Sequence, residues 1–358
     1  MTVKTRFRRE LIVFSIGCLL MGAQVSFAAG DATPSKEPEL SAECIQMQRD
    51  VNADLAAQNK KGCPPSLAQM SKLMDNPVGN VAMLFTQIDV VNMTNEGLTS
   101  QDATKTTYMG IAQFPKSLGE DWNLINRVVW TVPSIPLDQD KIDSASGISS
   151  QQYGEAQGST LPPADGSPLP INLFDGRTTG FGDLYYVGLF SPKESIPMGD
   201  GAFVWGAGLD FGFPTATDDI LGTGKYTAGP TALGIYMGEK WKIGALWQQY
   251  FDYTGDSDRD DVNLSNIQYL YYYSLNDTTS IGAGPNIIIN WEQDSDNRFT
   301  VPIGLGINKT FQFGKLPVRI GIEAHYSVIQ PDDVPSNEWD IRFFIIPAVP
   351  SFMFDWMN

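Results

Sequence analysis

The sequence predicts an all-β protein, a transmembrane antiparallel up-and-down β-barrel of about 12 strands with a short N-terminal periplasmic segment. Three observations predict this fold class. The first 28 residues have the pattern of an export signal, most of the chain after residue 80 alternates apolar and polar residues, and the connections between the alternating segments are long and short in turn. The composition agrees, because 34 glycines, 23 prolines and 11% aromatic residues suit many strands and turns.

The first 28 residues carry the features of a cleaved signal peptide. Four basic residues within positions 4–9 precede the apolar run 11–21, and Ser26-Phe27-Ala28 offers small residues for cleavage. A retained anchor is the alternative, but the run is shorter than the roughly 20 residues that a spanning helix needs. A lipoprotein at Cys18 is disfavoured, because Ser15 stands where such sites prefer a leucine-like residue. We therefore expect export with cleavage.

Residues 29–77 differ from the rest of the chain. They are polar and poor in aromatic residues, and Cys44, Val51 and Leu55 have helix-like spacing. In an oxidising periplasm we expect Cys44 and Cys63 to form a disulfide. The segment therefore reads as a disulfide-pinned helical cap or plug, with a loosely ordered leader as the alternative, and residues 78–358 as the barrel.

The strands are predicted from alternation with period two. In residues 318–328, valines and isoleucines share one face, while Arg319, Glu323 and His325 share the other. Which face points inward is ambiguous in the first, second, fourth and sixth of the predicted strands. The predicted strands are 81–91, 105–115, 121–132, 180–191, 201–213, 225–236, 240–251, 262–275, 278–291, 299–311, 316–329 and 339–348.

The connections distinguish a membrane barrel from a soluble sandwich. They alternate between a long and a short set, as the external loops and periplasmic turns of outer-membrane barrels do, and the strand number is even. A Greek-key sandwich has no reason for this regularity. The long connections also hold 21 acidic and four basic residues, whereas the short ones are nearly balanced. Both features indicate that the long connections lie on one side of the membrane and the short ones on the other. They predict a location in the cell outer membrane.

The charge balance restricts the partners. The chain carries 24 basic and 41 acidic residues, and removal of residues 1–28 leaves 20 and 40, a net charge of −20. This acidity argues against nucleic acid as a partner. We expect the partners to be outer-membrane lipid and lipopolysaccharide, the barrel assembly machinery and a small-molecule solute.

Short motifs recur in order along residues 76–348. They are Asn76-Pro77-Val78, Trp122-Asn123-Leu124-Ile125-Asn126-Arg127, Gly180-Phe181-Gly182-Asp183-Leu184, Phe213-Pro214-Thr215-Ala216-Thr217, Leu221-Gly222-Thr223-Gly224-Lys225 with Gly229-Pro230, Gly255-Asp256 with Arg259, Asp261, Val262 and Asn263, then Asn290-Trp291, Val301-Pro302-Ile303-Gly304 and Trp339. Together they resemble the outer-membrane transporters named for the meta-pathway of phenol degradation, some of which carry a neuromedin U label. The resemblance implies a barrel with a transport role. The chain departs from the family in residues 133–179 and in its end, Met357-Asn358.

The inward face of a barrel is its lumen, so polar residues predicted there are the functional candidates. Mixed charges across a narrow lumen set which solutes pass. The alternative is that they pair with one another and fill a small barrel. The predicted lumen-lining residues are Arg127, Asp210, Lys242, Asn266, Gln268, Asn286, Asn290, Arg319, Glu323, His325, Asp340 and Arg342.

The long connection 133–179 contains six prolines, and loops of this length are functional or disordered. One hypothesis is that it folds into the lumen and narrows it, and the other is a mobile surface lid. If it narrows the lumen, deletion of residues 140–170 is expected to raise single-channel conductance.

No motif for a metal ion or a cofactor is complete. Residues 256–267 lack the Gly and Glu of an EF-hand at positions 261 and 267, and Tyr226 replaces the Ser or Thr that a phosphate loop needs after Lys225. Hydrolysis by a barrel enzyme would need an activated serine near His325, the sole histidine, and Ser327 on the same strand is poorly placed.

The sequence therefore predicts no catalytic residue, metal or cofactor. It predicts a channel or transporter that passes a small solute through the lumen, with hydrophobic and aromatic molecules among the candidate solutes. Two alternatives stay open. One is a structural or adhesion barrel with a plugged lumen, and the less favoured one is a barrel hydrolase.

Overall fold

The structure is a computed structural model that describes residues 41–49, 55–79, 81–94, 103–137, 176–314, 316–331 and 336–350. The predicted signal peptide and residues 138–175 of the longest connection lie outside the described residues. Within the described part of the chain, none of the helices has the length and apolar character needed to cross a membrane.

Three short helices precede the strands: α1 (Ala42–Met47), α2 (Leu55–Lys60) and α3 (Leu67–Met74). The strands are β1 (Val81–Thr94), β2 (Ala103–Leu118), β3 (Trp122–Ile135), β4 (Thr178–Thr179), β5 (Leu184–Pro192), β6 (Ile196–Met198), β7 (Gly201–Phe213), β8 (Lys225–Met237), β9 (Trp241–Gly255), β10 (Asn263–Asn276), β11 (Thr279–Ala283), β12 (Asn286–Asn290), β13 (Phe299–Phe313), β14 (Leu316–Ile329) and β15 (Ser336–Pro350).

The sheet closes on itself. Each long strand pairs with its sequence neighbours in antiparallel fashion, and β15 pairs with β1 to complete the ring. Because β11 and β12 occupy one place in the ring and the short β4 and β6 only extend it, the wall has 12 strands. The predicted fold class is confirmed. β5 begins at Leu184, four residues after the start of the predicted strand 180–191, and the predicted strand 278–291 is interrupted at Gly284-Pro285.

The two faces of the wall differ in chemistry. On β14, Arg319, Glu323 and His325 are buried inside, while Ile320 and Ile322 are exposed outside. The same division holds around the ring, and the outer surface is an apolar belt with exposed fractions near one half at Leu209, Ile303, Leu305, Ile307, Phe343 and Ile345. Such a belt on a closed barrel is the surface that a lipid bilayer covers.

Aromatic side chains cluster near both ends of this belt. At the end with the short connections, here called the short-turn end, Trp122 packs edge-on against Trp205 and Trp241 against Tyr273. At the opposite, long-loop end, Tyr326 packs against Trp339 with ring centroids 4.8 Å apart. These are the positions of the two aromatic girdles of a membrane barrel.

The helices form a small unit held together by buried contacts. The Cys44–Cys63 disulfide is present, with the two Cα atoms 5.6 Å apart, and it joins α1 to the stretch before α3. The side-chain amides of Gln58 and Gln69 exchange two hydrogen bonds of 2.8 and 2.9 Å. Ser66 caps α3 by accepting a hydrogen bond from the backbone N–H of Gln69.

Candidate functional site: the barrel lumen

The C-terminal end of α3 is anchored inside the barrel at the short-turn end. Asp75, the C-cap residue of α3, lies 2.6 Å from Nη1 of Arg319 and 2.7 Å from Nζ of Lys242. All three side chains are more than nine-tenths buried. Arg319 also donates to the Ser71 carbonyl at 2.7 Å, and Lys242 donates to the Ser274 hydroxyl at 2.6 Å. Two buried ion pairs therefore join the helical segment to the wall.

Apolar side chains complete this closure. Leu73 and Met74 of α3 pack against Met83, Phe344 and Ile346 on the inner face of the wall. Beyond Asn76, whose side chain accepts the Val78 N–H at 3.1 Å, Val78 packs into a second inner cluster. That cluster contains Ile125, Val187, Leu189, Val204, Leu233, Ile235, Met237 and Leu246. The segment 55–79 therefore fills the short-turn half of the lumen as a plug.

A cavity of about 270 Å³ remains in the lumen beyond the plug. Part of its lining is apolar, from Met109, Ile111, Val129, Val187, Leu246, Leu264 and Ile288. The rest is polar and comes from strands all around the ring, including Asp89, Lys105, Arg127, Thr227, Gln248, Asn266, Gln268, Asn286, His325, Asp340 and Arg342. The cavity thus offers both apolar surface and hydrogen-bonding groups.

One wall of the cavity carries a connected network of charges. The two ring nitrogens of His325 lie 2.9 Å from Asp340 and 3.0 Å from Glu323. Arg342 donates to Asp89 at 2.7 Å, and Tyr272 donates to Glu323 at 2.7 Å. Glu323, His325, Asp340 and Arg342, four of the predicted lumen residues, therefore have hydrogen-bonded partners. This is the arrangement expected if charged groups in the lumen pair with one another.

The predicted amide residues lie beside this network. Asn286 donates to Asn266 at 2.8 Å, and Gln268 donates to the Gly284 carbonyl at 3.3 Å. Asn290, in contrast, accepts a hydrogen bond from the Glu292 N–H in the turn after β12. Its side chain contributes to that turn and does not line the cavity.

Two predicted residues stand apart from every network. Arg127 reaches the cavity, is 7% exposed, and makes no hydrogen bond or ion pair with any described residue. Asp210 is fully buried on the inner face, and neither of its carboxyl oxygens has a partner within the described chain. Gln113, next to Arg127 in register, is likewise buried with its amide unpartnered there. Buried polar groups without partners are costly, and of these three residues only Arg127 lines the cavity.

The long-loop end of the cavity is covered by the connection between β7 and β8. Its Ile220 and Leu221 are fully buried, and Leu221, Gly222 and Thr223 line the cavity. Asp183 accepts hydrogen bonds from the N–H groups of Thr215 and Thr223 at 3.1 and 2.7 Å. The motifs around residues 183, 215 and 223 therefore meet in one folded loop.

The guanidinium of Arg259 secures the same loop. It donates to the carbonyls of Asp219 and Gly222 from the connection between β9 and β10. The loop between β7 and β8 is therefore held by the Asp183 carboxylate on one side and by the Arg259 guanidinium on the other.

Replacing Asp183 by Ala is expected to loosen this cover, because at least three N–H groups lose their acceptor. We expect increased ion conductance through the purified protein in planar bilayers. Asp218→Ala in the same loop is the control, since the Asp218 side chain accepts only from Thr217 among the described residues. Equal conductance in both variants would contradict a covering role for the loop.

The structure also adds residues that the sequence did not single out. Asp75 belongs to the N-terminal segment, whose docking place has no sequence signal. Asp89 and Lys105 lie on β1 and β2, where alternation left the inward face ambiguous, and Tyr272 belongs to a run of tyrosines on β10. For Asp89, the available signal was a single charge within an otherwise uncharged strand.

Metal binding and hydrolysis find no further support among the described residues. No group of three or more His, Cys, Asp or Glu side chains is arranged to hold a metal ion in the described ranges. In the same part of the chain, both ring nitrogens of His325 face carboxylates, and Ser327 makes no hydrogen bond to it. The hypothesis that residues 138–175 narrow the lumen lies outside the described residues.

Comparisons with known proteins give low similarities. No family model matches the chain, and no curated protein matches it. Among solved structures, an outer-membrane channel of Pseudomonas putida F1 is 15% identical, with a TM-score of 0.49 over 75% of this chain and 94% of that one.

Two further solved structures have lower scores. A FadL homologue of Pseudomonas aeruginosa is 11% identical, with a TM-score of 0.32 over 84% of this chain and 94% of that one. The toluene transporter TodX of P. putida is 11% identical, with a TM-score of 0.33 over 78% and 92% of the two chains. None of these matches assigns a solute to this chain.

The closed ring, the apolar belt and the two aromatic girdles make the protein an outer-membrane β-barrel. Among the described residues, the plug packs inside the short-turn end of the lumen and the pinned loop lies over the long-loop end, with a polar and apolar cavity between them.

Proposed function

We propose that the protein is an outer-membrane channel for small solutes that combine an apolar body with a hydrogen-bonding or anionic group. The observation that carries the proposal is the lumen cavity of about 270 Å³, where Arg127, which has no hydrogen-bond partner among the described residues, shares the lining with the apolar side chains of Met109, Val129 and Leu246. An apolar body gains from contact with these side chains, and a polar group gains from Arg127. The resemblance of residues 76–348 to transporters of the phenol meta-pathway family supports a transport role.

A structural barrel is the second candidate function, and the buried ion pairs of the plug favour it. The two functions differ in whether the protein carries solute at all. Ion conductance of the full-length mature chain in a planar bilayer, together with entry of a hydrophobic probe into cells that express it, separates them. Conductance steps and accelerated probe entry support the channel. An inserted protein that is silent in both assays supports the structural barrel.

Replacement of Arg127 by Met is expected to weaken the binding of small aromatic carboxylates. A hydrogen bond to a charged group contributes about 1.5–3 kcal/mol, so we expect benzoate affinity to fall about tenfold or more. Affinity for the neutral benzamide should change little. The measurement is titration calorimetry on the full chain in lipid nanodiscs.

Arg298→Met is the matched control for this variant. Arg298 lies in the turn after β12, where it donates to the Gln293 carbonyl and lies over the Trp291 ring, away from the cavity. Equal benzoate affinity in the Arg127 variant and the control would remove Arg127 from the binding site.

A further inference from the structure

Two residues of opposite charge lie in one row across the inner face of the wall. Arg127 on β3 is in register with Val187 on β5, and Val187 is in register with Asp210 on β7. Side chains at aligned positions of neighbouring strands lie on the same face, so all three point into the barrel. Because adjacent strands are about 4.8 Å apart, the Cα atoms of Arg127 and Asp210 are about 10 Å from each other.

Neither of these charges is compensated by a neighbour. Asp210 is fully buried, and within the described chain both of its carboxyl oxygens lack a hydrogen-bond partner. Arg127 is more than nine-tenths buried, and its Nε has no hydrogen-bond partner there either. Val187, which stands between them, belongs to an apolar cluster of the inner wall. Burying a charge without a counter-ion is unfavourable, so each group gains from a partner of opposite sign.

The structure shows the two charged groups apart from each other. Arg127 lines the cavity, whereas one carboxyl oxygen of Asp210 lies toward Gly229 on β8, 3.4 Å from where a Cβ atom of residue 229 would stand. In the row only the short side chain of Val187 separates the two residues. The guanidinium is carried by a flexible chain of three methylene groups. Rotation of the Arg127 and Asp210 side chains therefore brings the two groups together without movement of the strands.

A comparison with the charge network across the lumen shows why this pair is able to exchange. Arg342 is in register with Asp89 on the adjacent strand, and the two side chains are 2.7 Å apart. Arg127 and Asp210 are separated by a further strand, so both side chains have to extend to meet. An ion pair of this kind is weaker than one between adjacent strands, because the attraction falls with distance and two side chains lose freedom.

From this geometry we infer that Asp210 is an internal counter-ion, which competes with an anionic solute for Arg127. In one arrangement the guanidinium pairs with Asp210, and in the other it extends into the cavity and holds the anionic group of the solute. The inference rests on the proposed function and deepens it, because it makes the recognised group an anion. A neutral group cannot take the place of the Asp210 charge beside Arg127. The competing carboxylate also favours release of the solute after it has bound.

Replacement of Asp210 by Asn tests the inference, because asparagine keeps the shape of the side chain and removes its charge. We expect the affinity for benzoate to rise about tenfold, since Arg127 loses its internal competitor. The affinity for the neutral benzamide should stay unchanged. The measurement is titration calorimetry on the full chain in lipid nanodiscs. Glu43→Gln is the control for the loss of one negative charge, because Glu43 is exposed in the helical segment.

A double variant separates competition for Arg127 from direct repulsion of the solute by Asp210. In protein that carries Arg127→Met there is no guanidinium to compete for, so adding Asp210→Asn is expected to leave benzoate affinity unchanged. The same rise in affinity with and without Arg127 would overturn the inference, because the carboxylate would then act on the solute directly.

Unfolding in the absence of solute gives a readout that does not depend on transport. The measurement is the temperature at which the barrel loses its compact gel mobility. If the two groups pair, Asp210→Asn should raise this temperature more in the Arg127→Met protein than in the unsubstituted protein, because only the former holds a carboxylate that has lost its partner. An equal effect of Asp210→Asn in both proteins would show that the groups do not pair.

The results also separate this inference from the proposed function. Benzoate binding by the unsubstituted protein, with no gain in the Asp210→Asn variant, would overturn the internal counter-ion and leave the channel function standing. Binding of benzamide but not of benzoate would do the same. If the unsubstituted protein binds neither molecule, the proposed function fails and the internal counter-ion fails with it.

Discussion

Replacing Asp75 by Asn is expected to release the plug and to produce large, frequent conductance steps in planar bilayers. Asp75 is the common partner of Lys242 and Arg319, so the substitution removes both buried ion pairs at once. Removing one partner of a buried pair costs about 3–5 kcal/mol, since it leaves an uncompensated charge. A shift of this size raises the fraction of protein with a displaced plug by about 100-fold or more.

The N-terminal segment offers a matched control for this experiment. Glu43 forms an ion pair of 3.4 Å with Lys61, but both side chains are largely exposed. Glu43→Gln should therefore leave conductance unchanged, because exposed pairs contribute little. If the Asp75→Asn and Glu43→Gln proteins have the same conductance, the plug is held by its apolar contacts alone.

Replacing Gly306 by Val is expected to destabilise the barrel and to disturb the charge network together. Gly306 lies on the inner face of β13, opposite Glu323 in the ladder. A Cβ atom there would overlap the Ile322 carbonyl oxygen and approach Cγ of Glu323 to 2.6 Å. The missing side chain lets Glu323 extend across β13 to the N–H of Gly284.

We expect a loss of about 1–3 kcal/mol in stability, the usual cost of overpacking, and a lower temperature at which the barrel loses its compact gel mobility. Ala324→Val is the control, because Ala324 lies on the same strand as Glu323 but on its lipid-facing side. If both variants unfold at the same temperature, the close approach of Glu323 and Gly306 is not a structural requirement.

The plug and the loop cover are held by different interactions. Two buried ion pairs hold the plug at the short-turn end. Hydrogen bonds accepted by the Asp183 carboxylate and donated by the Arg259 guanidinium hold the cover at the long-loop end. Conductance of the Asp75 and Asp183 variants therefore measures which of the two is released more easily.

Much of the wall was predictable from the sequence alone. The outer side of a membrane barrel faces hydrocarbon and the inner side does not, so residues such as Ile320 and Glu323 must alternate with period two. The same reasoning, with the alternation of long and short connections, predicted 12 strands and the inward position of Arg319, Glu323 and His325. It did not predict the interruption of strand 278–291 at Gly284-Pro285, because these two residues preserve the alternation of the flanking residues.

The partners of the lumen residues were decided only by the tertiary structure. Alternation assigns a side chain to a face, but which inward groups meet depends on register, on the tilt of the wall and on what enters the lumen. Asp75 reaches Lys242 and Arg319 because a helix from outside the wall docks there, and nothing in the local sequence encodes that long-range contact. Arg127 and Asp210 show the same alternation in the sequence as Arg342 and Asp340, yet among the described residues only the latter two form ion pairs. The alternation of residues along a strand determines the face on which each side chain lies. The tertiary structure determines which of these side chains interact.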